Sequence, residues 1–564
     1  MLRNINRHLP RSKWTKLLYL TCGFTSLLLL STVFRTNSIE HSPFMQIADN
    51  PDEDSINDVD HDRADPDRVD APDRLDLINQ NPIEMKRKSK PTAQIYIGHE
   101  KYPKLNSMQR FIPQRRIVHL DLKGGAPKIH YFTQLFSFFN RIKATGILIE
   151  WEDMFPFTGK LSQAVNTNAY SMKDVETILS EAKKRNLQII PLIQTFGHLE
   201  WVLKLKEFKH LRDSIRFPQV ICFAEPEGWD LIRDMIVQVA EVHRKYGMDF
   251  FHMGADEVFQ IGNCNASSAL LASEGSKDRL MLWHMARTAK FIKQTYNTTV
   301  LAWHDMFAHV LESDLLHYNL TTLLQPVLWS YAEDLDLYLP RSTWASLQPF
   351  GHVWGSSAWK GADGPAKFNS NPFHYIRNHE SWTNQFTAIY EDFEVVEGLI
   401  LAGWSRYDHL AVLCELLPIA LPTLSMSMET ILEGRPLVGS YPITNELLQC
   451  EIPMELGFVI GCKFPGKKIY ELINEMHVKK KQLKQYRDED FELNGWLGRI
   501  ADGYSVSSQW YIEKITPMIE IYGRPLLRLE SELRFELSQI FYQVGQNDFS
   551  ILIFIYYKND LGYC

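Results

Sequence analysis

The sequence predicts an α/β fold organised as a (β/α)8 TIM barrel. From about residue 116, eight short apolar runs rich in β-branched residues alternate with segments of helical periodicity. Polar and aromatic residues collect where these runs end, which is the end at which such barrels carry their sites. An open doubly wound sheet is the alternative fold, but no glycine-rich dinucleotide-binding turn follows the first strand.

The predicted strands and helices follow one another along the chain. The strands are expected at residues 117–121, 146–150, 188–192, 250–254, 299–303, 324–329, 350–355 and 397–403, with helices between them such as 173–185 and 229–246. Beyond residue 412 the chain is predicted to be largely helical, with Leu529, Leu533, Leu537 and Ile540 forming one apolar face. The apolar segment 549–557 is too short to cross a membrane, and its role stays open.

The N-terminal part is predicted to anchor the protein in a membrane. Basic residues occur throughout residues 1–16, and the stretch 17–34 that follows carries no charge. As a helix this stretch would be about 27 Å long, enough to span a bilayer, and the basic flank favours a cytoplasmic N-terminus. We expect a cytoplasmic tail at 1–16 and a type II signal anchor at 17–34, with a cleaved signal peptide as the alternative. So short a span suits an early secretory membrane, such as that of the Golgi.

The remaining domain boundaries follow from composition. Residues 35–95 are acidic, contain many prolines and few large apolar side chains, and are predicted to form a disordered stem. The barrel is expected at 96–424 and a mostly helical C-terminal region at 425–564. The net charge is −8 and no basic stripe dominates, which argues against a nucleic-acid partner.

Glycosylation sequons and cysteines are consistent with a lumenal body. Sequons occur at Asn265, Asn297 and Asn319. Apart from Cys22 in the anchor, six cysteines would face an oxidising lumen, where up to three disulfides could form: Cys222, Cys264, Cys414, Cys450, Cys462 and Cys564. Their spacing resembles no zinc site, and we expect neither a metal nor another cofactor.

The segment 250–258, FFHMGADEV, is the strongest candidate for an active site. An apolar run carries His252 and ends in two adjacent carboxylates, Asp256 and Glu257. Charged side chains are rarely buried without a partner or a task. The alternative interpretation is a strand end whose acids pair with nearby lysine or arginine residues.

Other strand ends supply the polar and aromatic residues of a sugar-binding pocket. Tryptophans occur at the ends of four consecutive predicted strands: Trp303, Trp329, Trp354 with Trp359, and Trp404. A single tryptophan is more often part of the core, but aromatic faces at four successive strand ends favour stacking on a sugar ring. The polar residues at these ends are Asp121, Glu152, Asp153, His198, Asp305, Tyr331, Arg406, Tyr407 and Asp408.

The motif HMGADE at 252–257 resembles the His-x-Gly-x-Asp-Glu signature of glycoside hydrolase family 20, the β-N-acetylhexosaminidases. Segments 115–124, 146–157, 190–204 and 403–418 support the resemblance, which covers about residues 116–424 and is closest to the hexosaminidase D type. Two features depart from the family. Ala255 stands where many members have glycine, and no separate α/β domain fits before the barrel, as in the D type.

The resemblance implies an exo-acting, retaining and substrate-assisted hydrolysis of terminal β-linked GlcNAc or GalNAc. Glu257 would be the general acid and base, while Asp256 would orient the 2-acetamido group that attacks C1. Adjacent strand residues point in different directions, so this pair is poorly placed to act as acid and enzymic nucleophile. The implied substrate contacts are Tyr331, Trp303, Trp329, Trp404, Arg116, Asp305 and Asp408, with His198 and Asp153, or Glu152 in its place, supporting the acid.

Two other functions stay open at this point. The barrel could be a catalytically inactive glycan-binding protein, although both acids are present. It could also be a retaining glycosidase with a separate carboxylate nucleophile, such as Asp305. The sequence leaves open the choice between GlcNAc and GalNAc, the glycan acceptor and the oligomeric state.

Overall fold

The computed structural model describes residues 95–97, 100–102, 105–437, 440–452, 459, 461–501, 503 and 508–543. The predicted tail and anchor, nearly all of the stem, and the apolar segment 549–557 lie outside the described residues. Within the described part, none of the helices combines the length and the apolar character needed to cross a membrane.

Eight parallel strands of the described chain close into a barrel, as predicted. They are β1 (Arg115–Asp121), β2 (Gly146–Glu150), β3 (Gln188–Leu192), β4 (Phe250–His252), β5 (Thr299–Trp303), β6 (Leu324–Trp329), β7 (His352–Lys360) and β8 (Val395–Gly403). Each strand pairs with its neighbours in the sequence, and β8 closes the barrel against β1. The strand ends therefore meet at one mouth, where sites of such barrels lie.

Two of the eight strands end at a residue other than the predicted one. β4 ends at His252, two residues earlier than predicted, because the chain turns into a left-handed conformation at Gly254 and Ala255. β7 begins at His352 and continues to Lys360, because Phe350 belongs to a short 3-10 turn that precedes the strand. The other six strands lie where the sequence placed them, with end shifts of no more than two residues.

The barrel interior is filled with side chains and forms its own apolar cluster. Its members come from alternate positions of the strands: Ile117, Leu148, Ile190, Leu192, Phe250, Leu301, Trp303, Val327, Trp354 and Ile400. The intervening strand residues pack outward beneath the helices in a larger cluster. Burial of both strand faces explains why the runs were continuously apolar in the sequence.

Helices surround the barrel and extend beyond it. The longer ones are Ile129–Arg141, Met172–Lys183, Pro226–His243, Asn265–Glu274, Lys277–Tyr296, Pro372–Ile389, Leu417–Glu433, Lys467–Glu489, Phe491–Ala501 and Gln509–Ile540. Shorter α-helices span Glu200–Leu203, Glu312–His317, Leu320–Leu323, Leu335–Tyr338, Arg341–Ser346 and Pro442–Leu447, and two three-residue strands, Ile95–Ile97 and Glu100–Tyr102, pair before the barrel. Both helices predicted between strands are confirmed within a few residues.

The last helix buries its predicted apolar face and packs against the helix Lys467–Glu489. Leu529, Leu533 and Leu537 are at most 1% exposed, and Ile540 is also buried. Where this last helix ends, the Lys128 backbone N–H donates to the carbonyl of Ile540 at 2.6 Å. Since Lys128 directly precedes the first barrel helix, the C-terminal region is fixed to the start of the barrel.

Two disulfides are present in the described residues. Cys222 is joined to Cys264, and Cys450 to Cys462, while Cys414 is a buried free thiol. The first disulfide closes a loop that contains β4 and the Asp-Glu motif. Its two cysteines lie close to Asp213, but they offer no thiolate to a metal because their sulfurs are joined.

Candidate active site

The Asp256–Glu257 pair lies on a strained turn at the C-terminal end of β4. Gly254, Ala255 and Glu257 have φ values of 65°, 75° and 50°, all in the left-handed region. Only glycine adopts this region without cost, so two non-glycine residues here must be held by their surroundings. Such strain is typical of functional sites.

Close backbone approaches from the β3 end hold this turn. A Cβ atom on Gly254 would lie 2.0 Å from Oε1 of Gln194, and one on Gly197 would lie 2.8 Å from the carbonyl oxygen of Asp256. The next residue, His198, is itself left-handed, with a φ of 53°. The segment after β3 is therefore shaped to fit against the turn that carries Asp256 and Glu257.

His198 lies between the two carboxylates. Its Nε2 atom is 3.4 Å from Oδ2 of Asp256 and 3.5 Å from Oε2 of Glu257. Burial disfavours the charged imidazolium, but the attraction of Asp256 and hydrogen bonds to both acids outweigh burial and raise the pKa of His198 well above its usual value. The histidine thus brings a positive charge between two neighbouring acids.

The two acids differ in exposure. The Glu257 side chain is 36% exposed, whereas that of Asp256 is 10% exposed. Burial opposes ionisation of Asp256, yet the charge of His198 and hydrogen bonds from His198 and Gln194 lower its pKa. Asp256 is therefore an enclosed anion, and Glu257 is the acid that an incoming molecule or water can reach.

Asp305, at the end of β5, is bound to the same turn. Its Oδ2 accepts the backbone N–H of Glu257 at 2.8 Å, and its Oδ1 accepts the indole N–H of Trp329 at 2.9 Å. Burial raises the pKa of Asp305 to about 7, and the nearby carboxylate of Asp256 contributes to the shift. At acidic pH this side chain is a neutral acid with both oxygens engaged.

Aromatic side chains line the mouth beside the acids, as predicted. Trp329 and Tyr331 stack with their ring centroids 5.5 Å apart, and the Tyr331 hydroxyl accepts the indole N–H of Trp404 at 2.9 Å. Trp303 lies beneath them and is 1% exposed. Its ring centroid is 6.2 Å from that of Trp404. Trp303 is thus the floor of the pocket, while the other three form its walls.

The structure does not bring Arg116 to this site, which corrects the sequence-based interpretation. Arg116 lies at the N-terminal end of β1, where its guanidinium donates to the carbonyl oxygens of Pro113 and Lys143. Its side chain shares the outward face of β1 with Val118, whereas Ile117 points into the barrel. A contact with sugar hydroxyls at the opposite mouth is excluded by the length of the strand.

The tryptophans of β7 do not line the pocket either. Trp354 is the third of nine strand residues, and its indole N–H donates to Gln325 near the N-terminal end of the barrel. Trp359 packs in the outer layer beneath the helices. Three of the four predicted strand ends therefore contribute an aromatic wall or floor, and β7 does not.

The resemblance implied that Asp153 and His198 together support the acid. In the structure, Asp153 does not pair with His198. Its Oδ2 accepts a hydrogen bond from Asn166 at 3.1 Å and lies 4.0 Å from Nε2 of His409. Glu152, the alternative, is bonded to Nδ1 of His409 at 2.9 Å. Although burial opposes its ionisation, neighbouring cations, with His198 among them, lower the pKa of Glu152 to about 2. The charge of His198 therefore contributes to holding Glu152 ionised.

Asp408 lies on the loop after β8, at the same mouth. It is half-buried, and its Oδ1 accepts the backbone N–H of Leu410 at 2.7 Å. Burial raises the pKa of Glu200, and the charge of Asp408 contributes to that shift. Asp408 therefore lies at the rim of the site, on the same side as Glu200.

A buried lysine that sequence reasoning missed joins the floor of the mouth. Nζ of Lys123 lies 3.2 Å from Asp121, 3.5 Å from Glu152 and 3.9 Å from Glu150, and 5.0 Å from the centre of the Trp404 ring. Burial opposes its charge, but these carboxylates raise the pKa of Lys123 well above its usual value. In the sequence, the available signal for Lys123 was its position two residues beyond the end of an apolar strand.

One cluster has the spacing of a metal site. Glu152, Asp153 and His409 bring potential ligand atoms within 4.8 Å of one another. However, Nζ of Lys204 lies 2.5 Å from Nε2 of His409, and Lys123 approaches Glu152. Lysine ammonium groups already neutralise the cluster, so these residues do not fit a divalent cation.

Comparison with known proteins identifies the family. A profile described as glycosyl hydrolase family 20, catalytic domain, matches residues 128–330. Hexosaminidase D of Bos taurus is 40% identical over 323 residues, which cover 57% of this chain and 92% of that protein. The chain belongs to glycosyl hydrolase family 20. This confirms the resemblance inferred from the HMGADE motif.

Two further proteins are similar to this chain. Hexosaminidase D of Homo sapiens is 40% identical over 325 residues, which cover 57% of this family 20 chain and 66% of the human protein. A solved β-N-acetylhexosaminidase from Bacteroides fragilis is 16% identical, with a TM-score of 0.40, and the match covers 53% of this chain and 62% of that one.

Proposed function

We propose that this protein is an exo-β-N-acetylhexosaminidase that removes terminal β-linked GlcNAc or GalNAc from glycans with retention of configuration. The observation that carries the proposal is the pair of adjacent acids that differ in exposure and share one imidazole. An exposed acid can reach a leaving group, and an enclosed anion can bind a substrate group in the pocket. The aromatic walls supply the apolar faces on which a sugar ring stacks.

Glu257 acts as the general acid and then as the general base. Its partly exposed carboxyl protonates the oxygen of the leaving group, and in the second step it accepts a proton from water. Its backbone N–H is held by Asp305, so the turn that directs this side chain is fixed on its β5 side.

Asp256 binds and orients the substrate's own acetamido group. The acetamido oxygen attacks C1, and an oxazolinium-like positive charge develops beside the ionised Asp256 carboxylate, which stabilises that charge. Tyr331 and Trp404 are hydrogen-bonded to each other in the adjacent wall, which fixes both rings. The mechanism needs no enzymic nucleophile.

Asp305 is poorly suited to be a separate nucleophile. Both of its oxygens accept hydrogen bonds, and its pKa of about 7 leaves the side chain uncharged at acidic pH. A neutral carboxyl is a weak nucleophile. The contacts therefore favour the substrate-assisted route over the alternative that the sequence had left open.

Turnover of aryl N-acetylhexosaminides by the purified full-length protein tests the proposal. We expect hydrolysis of the GlcNAc or GalNAc substrate and inhibition by an N-acetylglucosamine thiazoline, which mimics only the acetamido route. Glu257→Gln should reduce kcat/KM by about 10²- to 10⁴-fold or more. Asp256→Asn should cost less, and chiefly on substrates whose acetamide must attack.

Glu227→Gln is the matched control, because Glu227 is a surface carboxylate that pairs with Lys160 and His210. It should retain full activity. A wild-type protein that binds the sugars without turnover would instead support an inactive glycan-binding protein. Full activity in Glu257→Gln would remove that residue from the mechanism.

We also propose that the protein works in the lumen of the secretory pathway, held by a type II anchor at residues 17–34 in the Golgi membrane. The disulfides Cys222–Cys264 and Cys450–Cys462 favour an oxidising compartment. The sequon asparagines Asn265, Asn297 and Asn319 are all exposed, so each is accessible to glycosylation.

Expression of the full chain in cells tests this location. We expect a gel shift on removal of N-glycans, a smaller shift for Asn297→Gln, and protection of the barrel from protease in intact vesicles. An unglycosylated protein that fractionates with the cytosol would overturn the proposed location without affecting the proposed chemistry.

A further inference from the structure

Gln194 makes two contacts to the catalytic turn from the end of β3. The residue is 4% exposed. Its Nε2 donates to Oδ1 of Asp256 at 3.0 Å, and its Oε1 accepts the backbone N–H of Ala255 at 3.2 Å. The nitrogen and the oxygen of one amide group thus form hydrogen bonds with two consecutive residues.

We propose that Gln194 is a positioning residue that orients Asp256 and keeps it a carboxylate, so that the substrate's acetamido group can take part in the reaction. The inference rests on the proposed hexosaminidase function and extends it to a residue to which the mechanism had given no role. Gln194 acts through Asp256 and needs no contact with the sugar.

The chemistry of the two contacts requires an amide. The Asp256 carboxylate only accepts hydrogen bonds, and the Ala255 N–H only donates, so the bridging group must donate at one end and accept at the other. A glutamate of the same shape could accept from Ala255, but once ionised it would have no proton to donate to Asp256. It would also add a second negative charge beside an enclosed anion.

Space around the amide is limited. A Cβ atom on Gly254 would lie 2.0 Å from Oε1 of Gln194, so the glycine is what allows the amide to approach the backbone. The left-handed conformation of Ala255 then directs its N–H toward the same oxygen. The strained turn and the buried amide therefore depend on each other.

Gln194 and His198 divide the two oxygens of Asp256 between them. Gln194 donates to Oδ1 and His198 lies at Oδ2, and both residues come from the same segment after β3. The titratable groups that face Asp256 are His198, His252, Glu257, Asp305 and Tyr331. Among them His198 is the cation, and burial keeps His252 neutral by lowering its pKa to about 3.

Gln194→Glu and Gln325→Glu form a matched pair of substitutions for the test. Gln325 lies in strand β6, and its amide contacts Trp354 and Glu397 near the N-terminal end of the barrel. The pH dependence of kcat and KM is measured for both variants on aryl glucosaminides carrying either an N-acetyl or an N-trifluoroacetyl group. The fluorinated group is the weaker nucleophile, so the ratio reports acetamido participation.

We expect Gln194→Glu to move the acidic limb of the kcat profile to higher pH by about 1–2 units, because one hydrogen bond to the Asp256 anion is lost. The kcat at the optimum should fall more than about tenfold, with a smaller change in KM, and the N-acetyl to N-trifluoroacetyl ratio should change. Gln325→Glu should leave the profile and the ratio unaltered.

A second variant keeps the outcome decisive. Gln194→Met has a similar length but makes neither hydrogen bond, and it should also lose kcat on acetamido substrates. An unchanged pH profile and ratio in active Gln194 variants would overturn the inference, as would failure of both to fold while Gln325→Glu folds. An inactive wild-type protein would count against the proposed function instead, so the two failures are distinguishable.

Discussion

The Oδ2 atom of Asp305 accepts the backbone N–H of Glu257 at 2.8 Å. This hydrogen bond joins the end of β5 to the left-handed residue that carries the general acid. The other carboxylate oxygen binds the indole N–H of Trp329, so one side chain fixes both the catalytic turn and an aromatic wall. The protonation of Asp305 therefore affects the stability of the site.

Asp305→Asn should make the stability of the protein less dependent on pH. The folded pKa of Asp305 is raised to about 7, so between about pH 4 and pH 7 the folded state holds a proton that the unfolded state has lost. Stability from this group is present at low pH and is lost as pH rises, by at most about 1.4 kcal/mol per pH unit. Urea unfolding at several pH values measures the slope, which should be shallower in the variant. A variant with the wild-type slope would exclude this contribution, and Asp230→Asn, at the surface, is the control.

Ala255→Gly should stabilise the protein without reducing activity. Ala255 has a φ of 75°, where an alanine costs about 1–2 kcal/mol relative to glycine. Glycine gains freedom in the unfolded chain, which offsets part of this difference, so the expected gain in unfolding free energy is up to about 1 kcal/mol. Urea unfolding measures the gain. Ala402→Gly, inside β8, should instead destabilise, and a loss of similar size at Ala255 would contradict the argument from strain.

His198→Gln should reduce kcat by about 10- to 100-fold, because charge-assisted hydrogen bonds contribute about 1.5–3 kcal/mol. The variant keeps a donor near Asp256 and Glu257 but removes the positive charge between them. Steady-state kinetics on an aryl hexosaminide measures the loss. His210→Gln replaces a surface histidine and should be neutral. Equal activity of the two variants would show that the charge of His198 is dispensable.

Replacing Cys222 and Cys264 together by serine should lower the unfolding free energy by about 4 kcal/mol, as expected for a loop of this length. The loop contains the catalytic strand β4, so its opening also frees the turn that holds the acids. Thermal unfolding under non-reducing conditions measures the change. Cys414→Ser alters a buried free thiol and should not make the protein less sensitive to reductant, whereas the double variant should. No loss of stability in the double variant would contradict this role of the disulfide.

Much of the fold could be predicted because its signals are local. All eight strands were located by apolar runs, and the last helix by the spacing of Leu529, Leu533 and Leu537. The errors occurred where local backbone geometry intervened. β4 stopped early because Gly254 and Ala255 adopt left-handed conformations, and these depend on contacts from β3.

The acids of the site could be predicted from the sequence, but the residues that contact them could not. The family resemblance implied a substrate contact for Arg116, but alternation along β1 puts this residue on the outward face at the other end. Gln194 and Lys123 were missed, because their roles consist of contacts with residues far away in the chain.

The sequence by itself determined the order of the barrel strands, the end at which the site lies and the identity of the Asp256–Glu257 pair. Hydrophobic periodicity and strand direction fix these features, because each is encoded in a short segment of the chain. Only the tertiary structure decided that Glu152 is bound to His409, that Asp305 is bound to the Glu257 backbone and that β7 contributes no wall. Those outcomes depend on how closure of the barrel aligns strands that are distant in sequence, and no local pattern encodes that alignment.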